Sequence, residues 1–192
     1  MKTLKEYINE SLLDDDILDN EIALVEAFLD ENYKGNFIIK KLGDKYIVDS
    51  KGNIEVKNKN ITSLTNGLFE FNHIGRNFYC MGCNSLKTLE GAPEEVGGNL
   101  NCMNCNSLKD LKGAPEKVGG NFNCTWCNSL KSLRGAPKKV GGDFNCSYCD
   151  SLKDLKGAPR EVSGDFYCST CGTQFTEEDV RKVCNVKGAI YV

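Results

Sequence analysis

Hydrophobic and polar positions along this chain follow one pattern that returns at a fixed interval through its middle. Residues 77–175 carry four copies and part of a fifth: "NFYCMGCNSLKTLEGAPEEVGG", "NLNCMNCNSLKDLKGAPEKVGG", "NFNCTWCNSLKSLRGAPKKVGG", "DFNCSYCDSLKDLKGAPREVSG" and "DFYCSTCGTQF". The period is 22 residues without insertion, since Cys80, Cys102 and Cys124 follow one another at that distance. Self-similarity at such a period predicts a solenoid in which each repeat forms one coil.

Within a repeat, the spacing of the buried positions changes from two to three. Leu100 and Cys102 are two apart, which places both on the inner face of a strand and Asn101 on the outer face. Cys105 and the leucines after it follow at intervals of three, which predicts a turn and a loop. Gly-Ala-Pro predicts the return corner, and the following Gly-Gly predicts a positive-φ turn into the next strand. The stacked strands predict one parallel sheet, with about six coils about 4.8 Å apart.

The two ends of the chain depart from the repeat. In residues 1–34, apolar residues at helical spacing predict an acidic arm of two short helices, broken around residues 14–16. In residues 35–76, "KYIVDSKGNIEV" predicts a β-hairpin with its turn at Lys51 and Gly52, followed by an irregular first coil. In residues 176–192, Thr176 and the acidic residues after it predict a capped helix that closes the array together with a final strand.

The paired cysteines allow two interpretations. Adjacent C-x2-C pairs, such as those that contain Cys83 and Cys102, have the spacing of a structural zinc site. However, five pairs cannot be divided into four-ligand sites without leaving one pair over, and the first cysteine of each pair is in phase with the apolar residues. We therefore interpret them as reduced core thiols with no cofactor, and a zinc-stabilised array is the alternative. This structural cysteine ladder comprises Cys80, Cys83, Cys102, Cys105, Cys124, Cys127, Cys146, Cys149, Cys168 and Cys171.

The pattern L-x-C-x-x-C-x-x-L-x-x-L, followed by Gly-Ala-Pro, resembles the leucine-rich repeat, and most closely its compact bacterial and bacteriophage varieties. Cysteine stands where that repeat has its second strand leucine and its buried asparagine. The resemblance implies an α/β solenoid that coils in the right-handed sense. It has one parallel β-sheet face, an N-terminal helical arm and a C-terminal helix-strand cap.

Outward positions on and beside the predicted strands form a candidate face for binding a protein partner. Repeat proteins bind partners on such faces, and exposed tryptophan and tyrosine are frequent anchors. The candidate residues are Tyr79, Asn101, Met103, Asn123, Trp126, Asn145, Tyr148 and Tyr167. The alternative is structural: the stacked asparagines bond one another along the sheet, and Trp126 only covers a loop.

Composition narrows the possible functions. The net charge of −3, and the acidic residues interleaved among the lysines of the loops, argue against nucleic-acid binding. No apolar run approaches the roughly 18 residues of a membrane span, so no membrane association is expected. His73 is the only histidine, and no nucleophile motif, phosphate loop or carboxylate pair is present. We therefore expect a protein that is not an enzyme.

The N-terminus, "MKTLKEYINES", resembles the capsid-targeting leader of internal head proteins of tailed phages. The matching positions are Met1, Lys2, Thr3, Glu6, Tyr7, Ile8 and Glu10. In that family a protease cuts after Leu-x-Glu, and Leu24 and Glu26 before Ala27 fit this rule. The two resemblances imply a bacteriophage protein in the cytoplasm of an infected bacterium or in the virion. A cytosolic inhibitor that binds a host protein through the strand face is the alternative.

Overall fold

The computed structural model describes residues 14–192, and in it the chain winds into a β-solenoid of about seven coils. Each coil contributes one short strand to each of two eight-stranded sheets. The first, sheet A, contains β1 (Tyr33–Lys34), β4 (Ile54–Val56), β6 (Phe78–Tyr79), β8 (Leu100–Asn101), β10 (Phe122–Asn123), β12 (Phe144–Asn145), β14 (Phe166–Tyr167) and β16 (Ile190–Tyr191). The repeating coil predicted from the 22-residue period is therefore confirmed, with one coil more than expected.

Sheet A is parallel from β4 onward, and its register places equivalent residues of successive repeats side by side. Phe122 is paired with Leu100 on one side and with Phe144 on the other. These side chains point into the core and are fully buried. The rings of Phe122 and Phe144 stack with centroids 5.3 Å apart, so the alternation of the sequence produces a continuous apolar column inside the solenoid.

A second sheet lies where the sequence analysis predicts only inward-pointing valines. This sheet, sheet B, contains β2 (Ile38–Leu42), β3 (Lys45–Ser50), β5 (Glu70–Ile74), β7 (Glu95–Val96), β9 (Lys117–Val118), β11 (Lys139–Val140), β13 (Glu161–Val162) and β15 (Asn185–Val186). The predicted parallel sheet face is sheet A, and sheet B is a second sheet that the sequence analysis does not predict. The strands β7, β9, β11 and β13 each have one outward residue and one buried valine, and no apolar residue lies two positions from that valine to mark a strand in the sequence.

The Gly-Gly pairs allow close packing of coils, and they do not adopt the positive φ predicted for them. The glycines with positive φ in the repeats include the first residue of each Gly-Ala-Pro, such as Gly113 and Gly135 at φ 85°. A Cβ on Gly119 would lie 2.2 Å from the carbonyl oxygen of Gly97, and a Cβ on Gly120 would lie 2.3 Å from Oδ1 of Asn99. The second position of the pair is glycine in all four full repeats, which this close approach explains, whereas Ser163 takes the first position in the fourth repeat.

The N-terminal end is closed by a helix and a hairpin. Helix α1 (Asp14–Asn32) begins at the acidic residues where the sequence analysis predicts a break, and it buries Val25 and Leu29 against the first coil. The hairpin joins β2 and β3 through Gly43, at φ 62°. It is therefore not the hairpin predicted at Lys51, because that turn carries the chain from sheet B into sheet A.

At the C-terminal end, helix α2 (Glu177–Val183) replaces the loop of the last coil, as predicted. The Thr176 hydroxyl accepts from the backbone N–H of Asp179 at 3.2 Å, and the Asp179 carboxylate accepts from the backbone N–H of Thr176 at 3.0 Å. This reciprocal capping box fixes the start of the helix. Strands β15 and β16 follow and extend both sheets by one coil. Neither α1 nor α2 combines the length and apolar character that a membrane crossing requires.

Candidate partner-binding surface

The interior of the turn after each sheet A strand is formed by the cysteine pairs. Nine of the ten ladder cysteines are buried, and Cys171 is half-buried. The Cys127 thiol donates to the backbone oxygen of Cys102 at 3.3 Å, and the Cys105 thiol donates to that of Cys80 at 3.0 Å. The second thiol of a pair is thereby hydrogen bonded to the preceding coil. These thiols contribute apolar volume and leave few backbone carbonyls of the turn without a partner.

Burial makes these thiols poor nucleophiles. Desolvation raises the pKa of Cys124 and Cys146, and it raises the pKa of Cys168 to about 12 and that of Cys184 to about 11. At neutral pH these four groups are protonated, so they lack the thiolate that attacks electrophiles. By contrast, hydrogen bonds with the thiols of Cys102 and Cys146 lower the pKa of Cys127 and Cys171, respectively. Within residues 14–192, no group of three or more His, Cys, Asp or Glu side chains is arranged to hold a metal ion.

The outward asparagines of sheet A bond to their own turns. Oδ1 of Asn101 accepts from the backbone N–H of Met103 at 3.0 Å, and Oδ1 of Asn123 accepts from that of Thr125 at 2.9 Å. Asn145 repeats this contact with Ser147 at 3.0 Å. The alternative given in the sequence analysis, in which these asparagines bond one another along the sheet, is therefore not what the structure shows. The contact leaves the Nδ2 groups without an acceptor among the described residues, so they are available to a partner.

The positions two residues after these asparagines do not form an outward column. Met103 is half-buried, while Thr125 and Ser147 are 7% and 3% exposed. The alternation of the strand ends at the first cysteine, because the chain turns there after only two strand residues. Met103 is therefore a weaker candidate for partner binding than the sequence analysis indicates.

The residue just before the second cysteine of each pair adopts a left-handed backbone conformation in every repeat. Gly82 and Asn104 fill this position in the first two repeats, at φ 68° and 60°. Trp126 and Tyr148 fill it in the next two, at φ 60° and 59°, and Thr170 follows. Glycine and asparagine enter this region readily, whereas a bulky aromatic residue there is an outlier. The glycine and asparagine of the first repeats are the sequence signal that could have revealed this conformation.

Trp126 and Tyr148 stack on each other at the surface. Their ring centroids are 4.5 Å apart and their planes differ by 5°. Trp126 is 49% exposed and Tyr148 is 40% exposed, the former being the only tryptophan in the chain. A second stacked pair, Tyr167 and Tyr191, has centroids 4.6 Å apart, and Tyr191 is absent from the sequence-based candidates. Tyr79 lies at the far end of the same sheet column, beside Asn101.

A polar ladder that the sequence analysis does not identify runs before each sheet A strand. The Oδ1 atom of Asn99 accepts from the backbone N–H of Asn121 at 2.7 Å, and Oδ1 of Asn121 accepts from that of Asp143 at 2.8 Å. The same contact continues to Asp165 and from there to Ala189. The available signal was the asparagine or aspartate that follows Gly-Gly or Ser-Gly in each repeat.

Charges are divided between the two halves of each coil. Residues 97–107, 119–129, 141–151 and 163–173, which include the strands and turns, contain no lysine, arginine or histidine. The loop halves carry the cations, and several of these pair between coils, such as Lys112 with Glu90 and Lys117 with Glu95, both at 2.7 Å. The mixture of acidic and basic residues expected for the loops thus forms a set of exposed ion pairs between coils.

We call Trp126, Tyr148, Asn123, Asn145 and Asp150 the aromatic surface.

The predicted leader, residues 1–13, lies outside the described residues. Its predicted cleavage position lies within helix α1, where Leu24 is half-buried and Glu26 and Ala27 are exposed. Val25 between them is fully buried. A protease would therefore have to unwind the helix locally before cutting between Glu26 and Ala27.

Comparison with family models, with curated proteins and with solved structures found no match to this chain.

Proposed function

We propose that this chain is a non-enzymatic repeat scaffold that binds a protein partner through the aromatic surface. The observation that carries the proposal is the exposed pair of Trp126 and Tyr148 in left-handed backbone conformations. A residue held in such a conformation costs on the order of 1–3 kcal/mol, and such strain is concentrated at functional sites. Gly82 and Asn104 occupy the same position in neighbouring coils, so the turn itself requires no aromatic ring.

The chemistry of the surface fits a protein segment. Tryptophan and tyrosine are the residues most often found at the energetic centre of protein interfaces. The Nδ2 groups of Asn123 and Asn145 are held by the bonds their Oδ1 atoms accept. Such fixed amide donors match the backbone carbonyls that an extended partner segment presents.

The decisive experiment replaces both rings by the residue that the fold already uses there. The double variant Trp126→Asn/Tyr148→Asn should keep its fold and lose the partner. Immobilised parent protein and variant are compared for the proteins they retain from a bacterial lysate, identified by mass spectrometry. Lys131→Ala, on the exposed loop half, is the matched control and should retain the same partner as the parent.

Two results would count against this proposal. A partner retained equally by the parent and the double variant, but lost by Lys131→Ala, would move the interface to the loop half. A double variant that fails to fold would mean that the rings serve stability.

The proposed scaffold requires no metal. The support is that the Cys127 and Cys149 thiols donate hydrogen bonds to backbone oxygens and that desolvation raises the pKa of Cys124. Protein purified without added zinc should contain less than one zinc ion per chain, measured by elemental analysis. Stoichiometric zinc whose removal by a chelator unfolds the chain would instead establish the zinc-stabilised array.

The setting proposed for the scaffold is a bacteriophage, with coils of the leucine-rich-repeat type wound in the right-handed sense. Support comes from the Gly-Ala-Pro repeat, from the leader-like N-terminus and from the strong right-handed preference of parallel crossover connections. The leader is tested on purified virions, in which mass spectrometry should find a form of this chain that begins at Ala27. A cytosolic inhibitor, the alternative, would be absent from virions and would retain its activity without residues 1–26.

A further inference from the structure

The face that carries the aromatic pair bears only negative charges over four successive repeats. In residues 97–107, 119–129, 141–151 and 163–173 the charged residues are Asp143, Asp150 and Asp165, with no cation among them. Each aspartate stands where earlier repeats have asparagine: Asp150 follows Asn128, and Asp143 follows Asn121. The change from amide to carboxylate therefore begins at the coil that carries Tyr148, one coil after that of Trp126.

Asp150 is the carboxylate best placed to act with the rings. It lies two residues after Tyr148, and the equivalent side chains of the preceding coils, Asn104 and Asn106, contact each other at 3.0 Å. Asp143 and Asp165 use Oδ1 to accept backbone N–H groups of the polar ladder. Asp150 is exposed and has no ion-pair partner among the described residues. Its charge is available beside an exposed aromatic ring.

The outer faces of the stacked rings are available as well. The stack runs along the column of turn residues, and the flanking coils hold Asn104 and Thr170 at the same position. Neither flanking residue carries a ring, so the stack ends on the far side of Trp126 and on the far side of Tyr148. A flat group from a partner can continue the stack at either end.

We propose that the partner segment bound at the aromatic surface is basic and places an arginine against the Trp126–Tyr148 stack, with its guanidinium paired to Asp150. This inference rests on the proposed protein-binding function and specifies the chemistry of the partner. A guanidinium is flat, stacks on aromatic faces and donates two parallel hydrogen bonds to a carboxylate, whereas an ammonium group does none of these as well. The absence of cations from this half of the coils removes any competing internal partner.

The single tryptophan makes the site directly observable. Emission from Trp126 is recorded while the full chain is titrated with three matched synthetic peptides, in which glycine is alternated with arginine, lysine or glutamate. The arginine peptide should change the emission and bind at least about threefold more tightly than the lysine peptide. The glutamate peptide should not bind. Added salt should weaken the arginine complex, because the charge pair is exposed.

Variants assign the binding to the two proposed contacts. Asp150→Asn, which introduces the residue of the preceding coil, should weaken arginine-peptide binding about two- to fivefold. Tyr148→Asn should weaken it further by halving the stack, while Trp126 remains as the reporter. Lys131→Ala should change nothing.

Equal affinity for the lysine and arginine peptides, tighter binding of the glutamate peptide, or no binding of any peptide would overturn the arginine inference. The proposed function is judged separately, by whether the Trp126→Asn/Tyr148→Asn variant loses its captured partner. A partner lost by that variant together with silent arginine titrations would leave a protein-binding surface of different chemistry.

Discussion

The inside and the outside of the turn between paired cysteines follow opposite rules. Inside, the cysteine positions are the same in every repeat, and nearly all of these side chains are buried. Outside, the single left-handed position changes from glycine to asparagine, tryptophan, tyrosine and threonine along the solenoid. One backbone conformation therefore accommodates five different residues at the outer position, while the interior positions accept only cysteine.

This contrast separates what the fold requires from what the protein displays. The interior residue is constrained by the neighbouring coil, which lies within hydrogen-bonding distance. The Cys127 thiol, for example, donates to the backbone oxygen of Cys102 in the preceding coil. The exterior residue is constrained only by its φ angle, which glycine or asparagine satisfies best. The departure from those two residues at Trp126 and Tyr148 is therefore the most informative feature of the molecule about function.

The largest expected effect on the contrast between the inside and the outside of the turn is a difference in the rate at which the thiols react with a reagent. In the folded protein at pH 8, Cys171, which is half-buried while the other cysteines are buried, should react with a thiol reagent within seconds. The remaining thiols should react at least about a thousandfold more slowly, through opening of the fold, because buried protonated thiols are poor nucleophiles. The measurement is a time course of thiol modification, with all 11 cysteines counted in denaturant.

The control is Cys171→Ser, which should remove the fast phase and leave the slow one. Several thiols that react rapidly in the folded parent would show that the interior of the turn is accessible, and the contrast between inside and outside would fail.

A second interior prediction concerns the phenylalanine column. Phe144 is fully buried between Phe122 and Phe166, with ring centroids 5.3 and 5.1 Å away. Phe144→Ala should lower the free energy of unfolding by about 3–5 kcal/mol, because it removes a buried ring and leaves a cavity between two coils. Denaturant unfolding of the purified variant measures this.

Phe144→Leu is the matched control, since Leu100 holds the same position in its own repeat. It should lower the free energy of unfolding by about 1 kcal/mol, because most of the volume is retained. Equal losses for alanine and leucine would mean that the ring stack, and not the filled volume, stabilises the column.

The interior of the solenoid could be predicted from the sequence because burial leaves a periodic signal. The spacing of two between Leu100 and Cys102 fixes which side chains point inward, and Thr176 with its acidic neighbours fixes the start of α2. Sheet B escaped prediction because its short strands contain a single buried residue, such as Val118, with no second apolar residue two positions away, whereas Leu100 in sheet A has Cys102 at that distance. The hairpin was misplaced because Lys51-Gly52 has the composition of a hairpin turn, whereas Ile54 pairs with Phe78 and not with β3.

The aromatic surface could be predicted only in part. Trp126 and Tyr148 stand out in sequence as large residues beside a predicted strand, and the structure places both at the surface. Their stacking requires the two side chains to point in the same direction from neighbouring coils, and the sequence pattern of one repeat does not reveal this. The outward position of Asn101 could be predicted, but the bond that its Oδ1 atom accepts from its own turn could not.

A smaller effect on the free energy of unfolding is expected for the polar ladder, which lies at the boundary between the core and the surface of the solenoid. Asn121→Ala removes the acceptor of the Asp143 N–H, a bond of 2.8 Å, and should lower the free energy of unfolding by about 1–2 kcal/mol. Asn121→Asp keeps an acceptor oxygen at this position, as Asp143 and Asp165 do in later repeats, and should cost less than about 0.5 kcal/mol. Thermal unfolding of the three proteins distinguishes these values, and an aspartate variant as unstable as the alanine variant would contradict the ladder's role.

The smallest effect on stability is expected at Trp126 and Tyr148, where we propose the largest effect on partner binding. Each single variant, Trp126→Asn or Tyr148→Asn, relieves one strained position but loses the whole stack. The double variant relieves both positions and loses the stack only once. A stacked aromatic pair contributes about 0.5–1.5 kcal/mol beyond area burial, so the double-mutant cycle should give a coupling energy of that size. The double variant should then lie within about 1 kcal/mol of the parent, as expected for exposed positions away from the core. Denaturant unfolding of the four proteins measures this, and a loss of 3 kcal/mol or more, about that of Phe144→Ala, would make the rings part of the fold.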